Sequence, residues 1–184
     1  MALTPSNMMP LATRAPSFQL PDTITGRDFS LDELKGKLAT VIMFICNHCP
    51  YVKHVQEQQV TLANDYSATG VSFIAISSND VDAYPEDSPE MMLKEAKKWK
   101  YPFPYLYDET QMVARKYDVA CTPDYYIFDK SLDLVYRGQL DDSRPGNGLP
   151  VSGSDIRQAL DDIIKGNPVS DDQKPSVGCS MKWK

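Results

Sequence analysis

Two cysteines separated by two residues are the part of this sequence best suited to chemistry. Cys46 and Cys49 enclose Asn47 and His48, and Pro50 follows at once. A dithiol at this spacing can close into a disulfide and open again, and the thiolate is the form that reacts. Proline is favoured in the first turn of a helix, where an N–H would have no intrahelical partner. The pair is therefore predicted to lie where a helix begins, whose free N–H groups and partial positive charge stabilise a thiolate on Cys46.

Two other interpretations of the cysteine pair are weighed against a redox role. A structural zinc site usually has four ligands, and the sequence contains no second Cys-x-x-Cys and no His-x3-His. Two inert core cysteines would need neither a following proline nor a helix start. We therefore favour a redox pair and expect no metal. His48, Asn47 and Pro50 are the residues predicted to tune it, His48 through the positive charge of its protonated ring; the alternative for His48 is a solvated surface side chain.

A buried strand and a helix are predicted to hold the pair. The apolar run 41–45 is typical of a strand and ends at Cys46, and apolar residues recur at a helical period over 49–67. Earlier segments predict a hairpin around Gly26 and a short helical turn ended by Gly36. Later segments predict a strand over 71–77, a helix from Ser88 to Trp99 or Lys100, a strand over 105–107, a helix over 110–117, strands over 125–129 and 134–138, a long loop over 140–153, and a helix over 155–165 capped by Ser154. This order predicts an α/β fold in which helices flank a central mixed sheet.

Length and charge limit the kinds of protein that this chain can be. The 184 residues suit one domain over 1–184, with a surface arm (1–14), a core (15–165) and a C-terminal tail (166–184). A net charge of −6 argues against a nucleic-acid partner. No apolar run approaches the roughly 20 residues of a membrane span, and no basic region followed by an apolar stretch opens the sequence. We therefore expect a cytoplasmic protein without a membrane partner, in a compartment where a disulfide is usually catalytic or transient.

The cysteine motif and a later proline motif together resemble the thioredoxin-like superfamily. The sequence Cys-Asn-His-Cys at 46–49 follows a strand, and Cys-Thr-Pro-Asp at 121–124 precedes one. The N-terminal additions and the loop after Ser77 resemble the peroxiredoxin-like branch, which includes the alkyl-hydroperoxide-reductase/thiol-specific-antioxidant proteins. Three segments are similar to bacterial proteins described only as peroxiredoxin-like or thioredoxin family: 122–125, 136–142 and 175–179. The resemblance implies a thioredoxin-like fold over 15–165, with a β-hairpin added at its N-terminal side and a tail after it.

By this resemblance the protein is a thiol–disulfide oxidoreductase that works without a bound cofactor. Cys46 attacks a substrate disulfide from the exposed mouth of the turn, and Cys49, inside the first helical turn, resolves the mixed disulfide. Thr122 and Pro123 form a cis-proline loop facing Cys46, where the backbone of Thr122 pairs with an extended substrate; an ordinary trans-proline at a strand start is the alternative. The expected partners are a protein or small-molecule disulfide or peroxide, and an electron donor that the sequence does not identify.

Two further cysteines are candidates for auxiliary redox roles. Cys121 adjoins the proline loop and is expected near Cys46, although a small buried side chain is the commonest fate of a single cysteine. Cys179 lies in a polar, mobile-looking tail that Trp183 is expected to anchor on the body of the protein. We hypothesise that the tail folds back and offers Cys179 as a third redox cysteine, to Cys46 or Cys121.

Two other functions remain as alternatives. A peroxiredoxin-like peroxidase would work through Cys49 or Cys46, because Cys49 and Pro50 imitate the Cys-Pro step of that branch; Arg137 or Arg115 would then supply its arginine. The buried acid that thioredoxins carry in the strand before the motif is absent here, so its proton route is missing or supplied elsewhere. The less favoured alternative is a soft-metal site, such as one for Cu(I), with the ligands Cys46, Cys49, His54 and Cys121.

Overall fold

The computed structural model describes residues 3–184, which form ten strands and five α-helices. The strands are β1 (Leu3–Pro5), β2 (Gln19–Pro21), β3 (Asp28–Ser30), β4 (Ala39–Phe44), β5 (Val71–Ser77), β6 (Tyr105–Tyr107), β7 (Cys121–Thr122), β8 (Asp124–Asp129), β9 (Leu134–Gly138) and β10 (Val177–Ser180). The helices are α1 (Leu31–Leu34), α2 (Pro50–Asp65), α3 (Pro89–Trp99), α4 (Met112–Lys116) and α5 (Ser154–Lys165), and a short 3-10 helix covers Pro85–Asp87. None of these helices combines the length and the apolar character that crossing a membrane requires.

The central sheet is mixed and has five strands in the order β6-β5-β4-β8-β9. Strand β4 runs parallel to β5 and antiparallel to β8. All six residues of β4 are buried, because apolar side chains cover both faces of the sheet. Val41 and Met43 pack with residues of α2, α3 and α5, whereas Ile42 and Phe44 pack with residues of α1 and α4. The predicted α/β fold with a central mixed sheet flanked by helices is confirmed.

The two ends of the described chain meet in a second sheet, which has three strands and was not predicted. Its order is β1-β10-β7, and both pairings are antiparallel. The predicted surface arm therefore contains a paired strand (Met1 and Ala2 lie outside the described residues), and the expectation of a mobile tail is wrong, because β10 is paired on both edges. Trp183 anchors the tail as predicted, with the Arg115 guanidinium 4.4 Å from the centre of its ring. The organisation as one domain over 1–184 stays a prediction.

Most predicted element boundaries lie within a few residues of those in the structure. The hairpin of β2 and β3 is confirmed, and Ser88 is the N-cap of α3 as predicted. Ser154 is wrong as the cap of α5, because Gly153 is the N-cap and Ser154 the first helical residue. The helical turn α1 ends at Leu34, before Gly36. Strand β7 was missed, since two residues are too few to show a period.

A buried ion pair fixes the start of β8, directly after Pro123. The Arg137 side chain is fully buried, and its Nη2 donates to Asp124 Oδ2 at 3.1 Å and to the carbonyl oxygen of Asp118 at 2.8 Å. Burial raises the pKa of Asp124 to about 6, and the charge and hydrogen bond of Arg137 limit that rise. Arg137 is therefore part of the core, where it holds the strand that follows the proline loop.

Replacing Arg137 with methionine is expected to lower the free energy of unfolding by about 3–5 kcal/mol, because Asp124 would lose its buried partner. Arg14→Met is the matched control, since the exposed Arg14–Asp133 pair, 3.7 Å apart, contributes at most about 1 kcal/mol. Urea unfolding of both variants at neutral pH measures the difference. Equal losses in the two variants would contradict a structural role for the buried pair.

Candidate functional site

The two cysteines of the motif lie side by side at the start of α2, both as free thiols. One residue, Ile45, separates the end of β4 from Cys46. Cys49 is the N-cap of α2, and Pro50 is the first helical residue. Cys46 Sγ lies 3.4 Å from Thr122 Oγ1, and Cys49 Sγ lies 3.3 Å from the carbonyl oxygen of Thr122, to which the Cys49 thiol donates when it is protonated. The exposed fractions of the two residues are 1% and 0%. The expectation that Cys46 sits at an exposed mouth is therefore wrong: the β7 backbone closes over both thiols.

The surroundings of the two sulfurs shift their pKa values in opposite directions, downwards for Cys49 and upwards for Cys46. A hydrogen bond from the Cys46 thiol lowers the pKa of Cys49 to about 5. Burial opposes this shift, whereas hydrogen bonds from the Cys179 thiol and from the backbone N–H groups of Val52 and Cys179 add to it. Burial, the hydrogen bond to Cys49 and the negative charge of Asp87 raise the pKa of Cys46 well above its ordinary value. The prediction that the helix start and His48 stabilise a Cys46 thiolate is wrong.

Asp87 holds the turn between the cysteines, a role that was not predicted from the sequence. Its Oδ1 accepts from the backbone N–H groups of Asn47 at 2.7 Å and His48 at 3.1 Å, and its Oδ2 accepts from Asn79 Nδ2 at 2.8 Å. Burial alone would raise the pKa of Asp87, but the hydrogen bonds from His48 and Asn79 hold it below its ordinary value. The sequence carries no signal for this role, because Asp87 is one of several acids in a polar loop.

His48 and Asn47 are anchored by neighbours other than the thiols. His48 Nδ1 lies 2.6 Å from Asp87 Oδ2, and its ring stacks on Tyr84 with the centroids 4.8 Å apart. Asn47 Nδ2 donates to the carbonyl oxygen of Glu86 at 2.8 Å, and its Oδ1 accepts from the Tyr105 hydroxyl at 3.1 Å. The two residues thus fix the shape of the turn, and the carboxylate of Asp87 faces any positive charge on His48.

Thr122 contacts the thiols as predicted, but its backbone edge is not open. The peptide bond between Thr122 and Pro123 is cis. Strand β10 pairs with β7 along the edge that was expected to bind an extended substrate, with Cys179 opposite Thr122 and Ser180 opposite Cys121. The predicted substrate position at Thr122 and Pro123 is therefore already filled by the chain's own tail.

The two auxiliary cysteines have different surroundings. Cys121 is fully buried with its Sγ 4.0 Å from the carbonyl oxygen of Pro123, and burial raises its pKa. These contacts agree with the alternative of a packing residue. Cys179 is also buried, and its thiol hydrogen-bonds to that of Cys49. The tail does fold back, and it brings Cys179 to Cys49.

The histidine and the two arginines considered for metal binding or peroxide activation lie away from the thiol pair. His54 Nε2 is 2.7 Å from Ser143 Oγ, and among the described residues the four ligands of the less favoured copper site do not form a cluster. Within residues 3–184, the group whose ligand atoms lie within 4.8 Å of one another is Cys46, His48 and Asp87, and in it the His48 ring already pairs with Asp87. Arg115 stacks on a tail tryptophan and Arg137 binds Asp124; the two arginines considered for a peroxidase are thus engaged away from the thiols.

Comparison with known proteins finds the same fold and a family. A model described as AhpC/TSA family matches residues 11–137. An uncharacterized conserved protein from Geobacillus kaustophilus is 62% identical with a TM-score of 0.99, and the match covers 100% of this chain and 97% of that one. A hypothetical protein from Sinorhizobium meliloti 1021 is 46% identical with a TM-score of 0.96, covering 98% of both chains. No curated protein matches.

A more distant solved structure identifies the fold. The thioredoxin domain of a thiol-disulfide oxidoreductase from Bacteroides vulgatus is 17% identical with a TM-score of 0.60, and the match covers 71% of this chain and 89% of that one. At this identity the likeness concerns the fold alone. It confirms the predicted thioredoxin-like fold around the cysteine pair.

Asp87→Asn is expected to lower the free energy of unfolding at neutral pH by about 2–4 kcal/mol, because several buried donors lose a charged acceptor. The pKa of Asp87 is depressed in the folded state, so its contribution is present above the unfolded pKa of about 4 and is lost as the pH falls through the folded value. The difference between wild type and variant should therefore shrink below about pH 4. Chemical denaturation across this range measures it, with the exposed neighbour Asp82→Asn as control; a difference that is independent of pH would contradict the role.

The charge on Cys49 predicts a thiolate titration. The ultraviolet absorbance of the thiolate in the reduced protein should disappear as the pH falls through about 5. Cys49→Ser should lack this step, whereas Cys46→Ser, which keeps a hydroxyl donor, should retain it. A step that is lost in Cys46→Ser and kept in Cys49→Ser would place the charge on the other sulfur.

Proposed function

This chain belongs to the AhpC/TSA family, and we propose that it is a thiol–disulfide oxidoreductase in which Cys46 and Cys49 alternate between dithiol and disulfide. The family and the fold support a redox protein of the thioredoxin or peroxiredoxin type. The observation that carries the finer proposal is that both sulfurs lie against Thr122, Cys46 Sγ at 3.4 Å from its Oγ1 and Cys49 Sγ at 3.3 Å from its carbonyl oxygen, and the Cys46 thiol lowers the pKa of Cys49. Two sulfurs in such contact, one of them ionised, are ready for disulfide exchange.

The reaction starts from the Cys49 thiolate, because both sulfurs are buried and charge rather than exposure distinguishes them. Cys49 attacks one sulfur of a substrate disulfide, and the other substrate sulfur leaves as a thiolate. Cys46 then attacks the Cys49 sulfur of the mixed disulfide, and its proton leaves with the second substrate sulfur. The products are one substrate thiolate, one substrate thiol and the Cys46–Cys49 disulfide. This order reverses the roles that the resemblance implied for the two cysteines.

A small-molecule disulfide fits this site better than an extended protein chain. Strand β10 fills the β7 edge with which an extended substrate would pair. A substrate small enough to pass beside Thr122 needs no pairing of strands. The electron donor and the cytoplasmic location stay predictions from the sequence.

A peroxide substrate is the second candidate, favoured by the thiolate on Cys49 directly before Pro50. The attack of this thiolate on a hydroperoxide would give a sulfenic acid and an alcohol or water, and the Cys46 thiol would then form the disulfide with release of water. The arginines expected to assist this attack are held by Trp183 and Asp124. We therefore rank the disulfide reaction first.

Single-turnover oxidation by glutathione disulfide, followed by mass spectrometry, tests the proposal. The reduced wild type should lose two hydrogens and keep no adduct, and Cys49→Ser should react roughly 100-fold more slowly because the thiolate is lost. A variant with both Cys46→Ser and Cys179→Ser should retain glutathione on Cys49, since no neighbouring thiol can resolve it. Cys121→Ala is the control and should react like wild type.

The same experiment separates the alternatives. Rapid adduct formation on Cys46 in Cys49→Ser would restore the order in which Cys46 attacks. Oxidation by hydrogen peroxide that is faster than oxidation by glutathione disulfide would favour the peroxidase. A wild type that forms no Cys46–Cys49 disulfide with either oxidant would contradict both functions.

A further inference from the structure

The C-terminal strand brings a third sulfur to the thiol pair. Strand β10 places Cys179 opposite Thr122, the residue whose carbonyl oxygen lies 3.3 Å from Cys49 Sγ. The thiols of Cys49 and Cys179 are hydrogen-bonded to each other, and the backbone N–H of Cys179 also lowers the pKa of Cys49. Cys49 therefore has a thiol neighbour on each side, Cys46 and Cys179.

The position of this third sulfur is built into the fold. Strand β10 lies between β1 and β7 and is paired with both. Gly178 approaches Thr122 so closely that a Cβ at this position would overlap the Thr122 carbonyl group. On either side of β10, Ser176 Oγ donates to the carbonyl oxygen of Gly138 at 2.6 Å and the Met181 N–H donates to that of Ala120 at 2.9 Å. The contact between Cys179 and Cys49 thus follows from strand pairing and not from a loose tail.

Starting from the proposed function, on which this inference rests, we propose that Cys179 exchanges with the Cys46–Cys49 disulfide to form a second internal disulfide, Cys49–Cys179. The Cys179 sulfur attacks Cys49 Sγ, the bond between Cys46 and Cys49 breaks, and the Cys49–Cys179 bond forms. The proton of the Cys179 thiol goes to Cys46, so the step consumes no oxidant or reductant. The disulfide moves from the turn to a bond between α2 and β10.

The surroundings of the three sulfurs determine which of them hold a proton in this exchange. Burial raises the pKa of Cys179 to about 12 and also raises that of Cys46. Both outer sulfurs therefore hold a proton when they are not in a disulfide, and the central Cys49 is the sulfur shared by the two bonds. Because all three sulfurs are buried, the exchange needs no solvent access.

Oxidation by glutathione disulfide, with quenching in acid, alkylation of free thiols in denaturant and peptide mapping, tests the proposal. In Cys46→Ser, most molecules should form Cys49–Cys179 and keep no glutathione, whereas Cys46→Ser with Cys179→Ser should keep glutathione on Cys49. The oxidised wild type should yield both Cys46–Cys49 and Cys49–Cys179, with Cys121 alkylated as the internal reference. Cys179→Ser should yield Cys46–Cys49 alone.

Gly178→Ala moves β10 without removing a sulfur. The added methyl group forces β10 away from Thr122, so the share of Cys49–Cys179 should fall severalfold relative to wild type while Cys46–Cys49 still forms. The matched control is Gly146→Ala, because a Cβ at that loop position meets no neighbouring atom. Circular dichroism of both variants is the measurement that checks whether the fold is retained.

Two outcomes distinguish the inference from the function on which it rests. A Cys46→Ser protein that retains glutathione on Cys49 with Cys179 fully alkylated would overturn the exchange, and the Cys46–Cys49 disulfide of the wild type would leave the proposed function intact. A wild type that forms neither internal disulfide would instead overturn the proposed function.

Discussion

The peptide unit at Thr122 is the point at which the separate parts of this structure meet. Its carbonyl oxygen lies 3.3 Å from Cys49 Sγ, its hydroxyl lies beside Cys46, and its backbone pairs with β10 at Cys179. The buried Arg137–Asp124 pair fixes the strand that begins just after it. One short backbone segment thus determines where three sulfurs lie relative to one another.

Burial and the hydrogen bond to Cys49 raise the pKa of Cys46, and the negative charge of Asp87 raises it further. The first two backbone N–H groups after Cys46, those of Asn47 and His48, precede the helix start at Cys49 and are used by the Asp87 carboxylate. Cys46 is left with a negative neighbour, whereas Cys49 receives donors from Cys46, Cys179 and Val52. A sequence rule that assigns the thiolate to the first cysteine assumes that those N–H groups are unoccupied, and here a loop from elsewhere in the chain occupies them.

The features that could be predicted from the sequence are local, and those that could not are long-range. The strand before Cys46, the helix start at Pro50 and the N-cap at Ser88 each follow from residue types that are adjacent in sequence. Strands β7 and β10 are short, and their pairing is set by tertiary structure. The role of Asp87 depends equally on distance in the chain, because nothing near it in sequence marks it among the acids of its loop. The fold was therefore predictable, whereas the closure of the site by the tail was not.

Burial of all three sulfurs means that a substrate reaches them only when part of the chain moves. Strand β10 is attached to β7 by two register pairs, Cys179 with Thr122 and Ser180 with Cys121, whereas β1 supports its other edge. In the dithiol, these contacts are non-covalent and can open. In the proposed Cys49–Cys179 disulfide, a covalent bond would hold β10 over Thr122 and keep the edge closed. The oxidation state of Cys179 would then determine whether the tail can leave the thiols, which ties access to the site to the chemistry that the site performs.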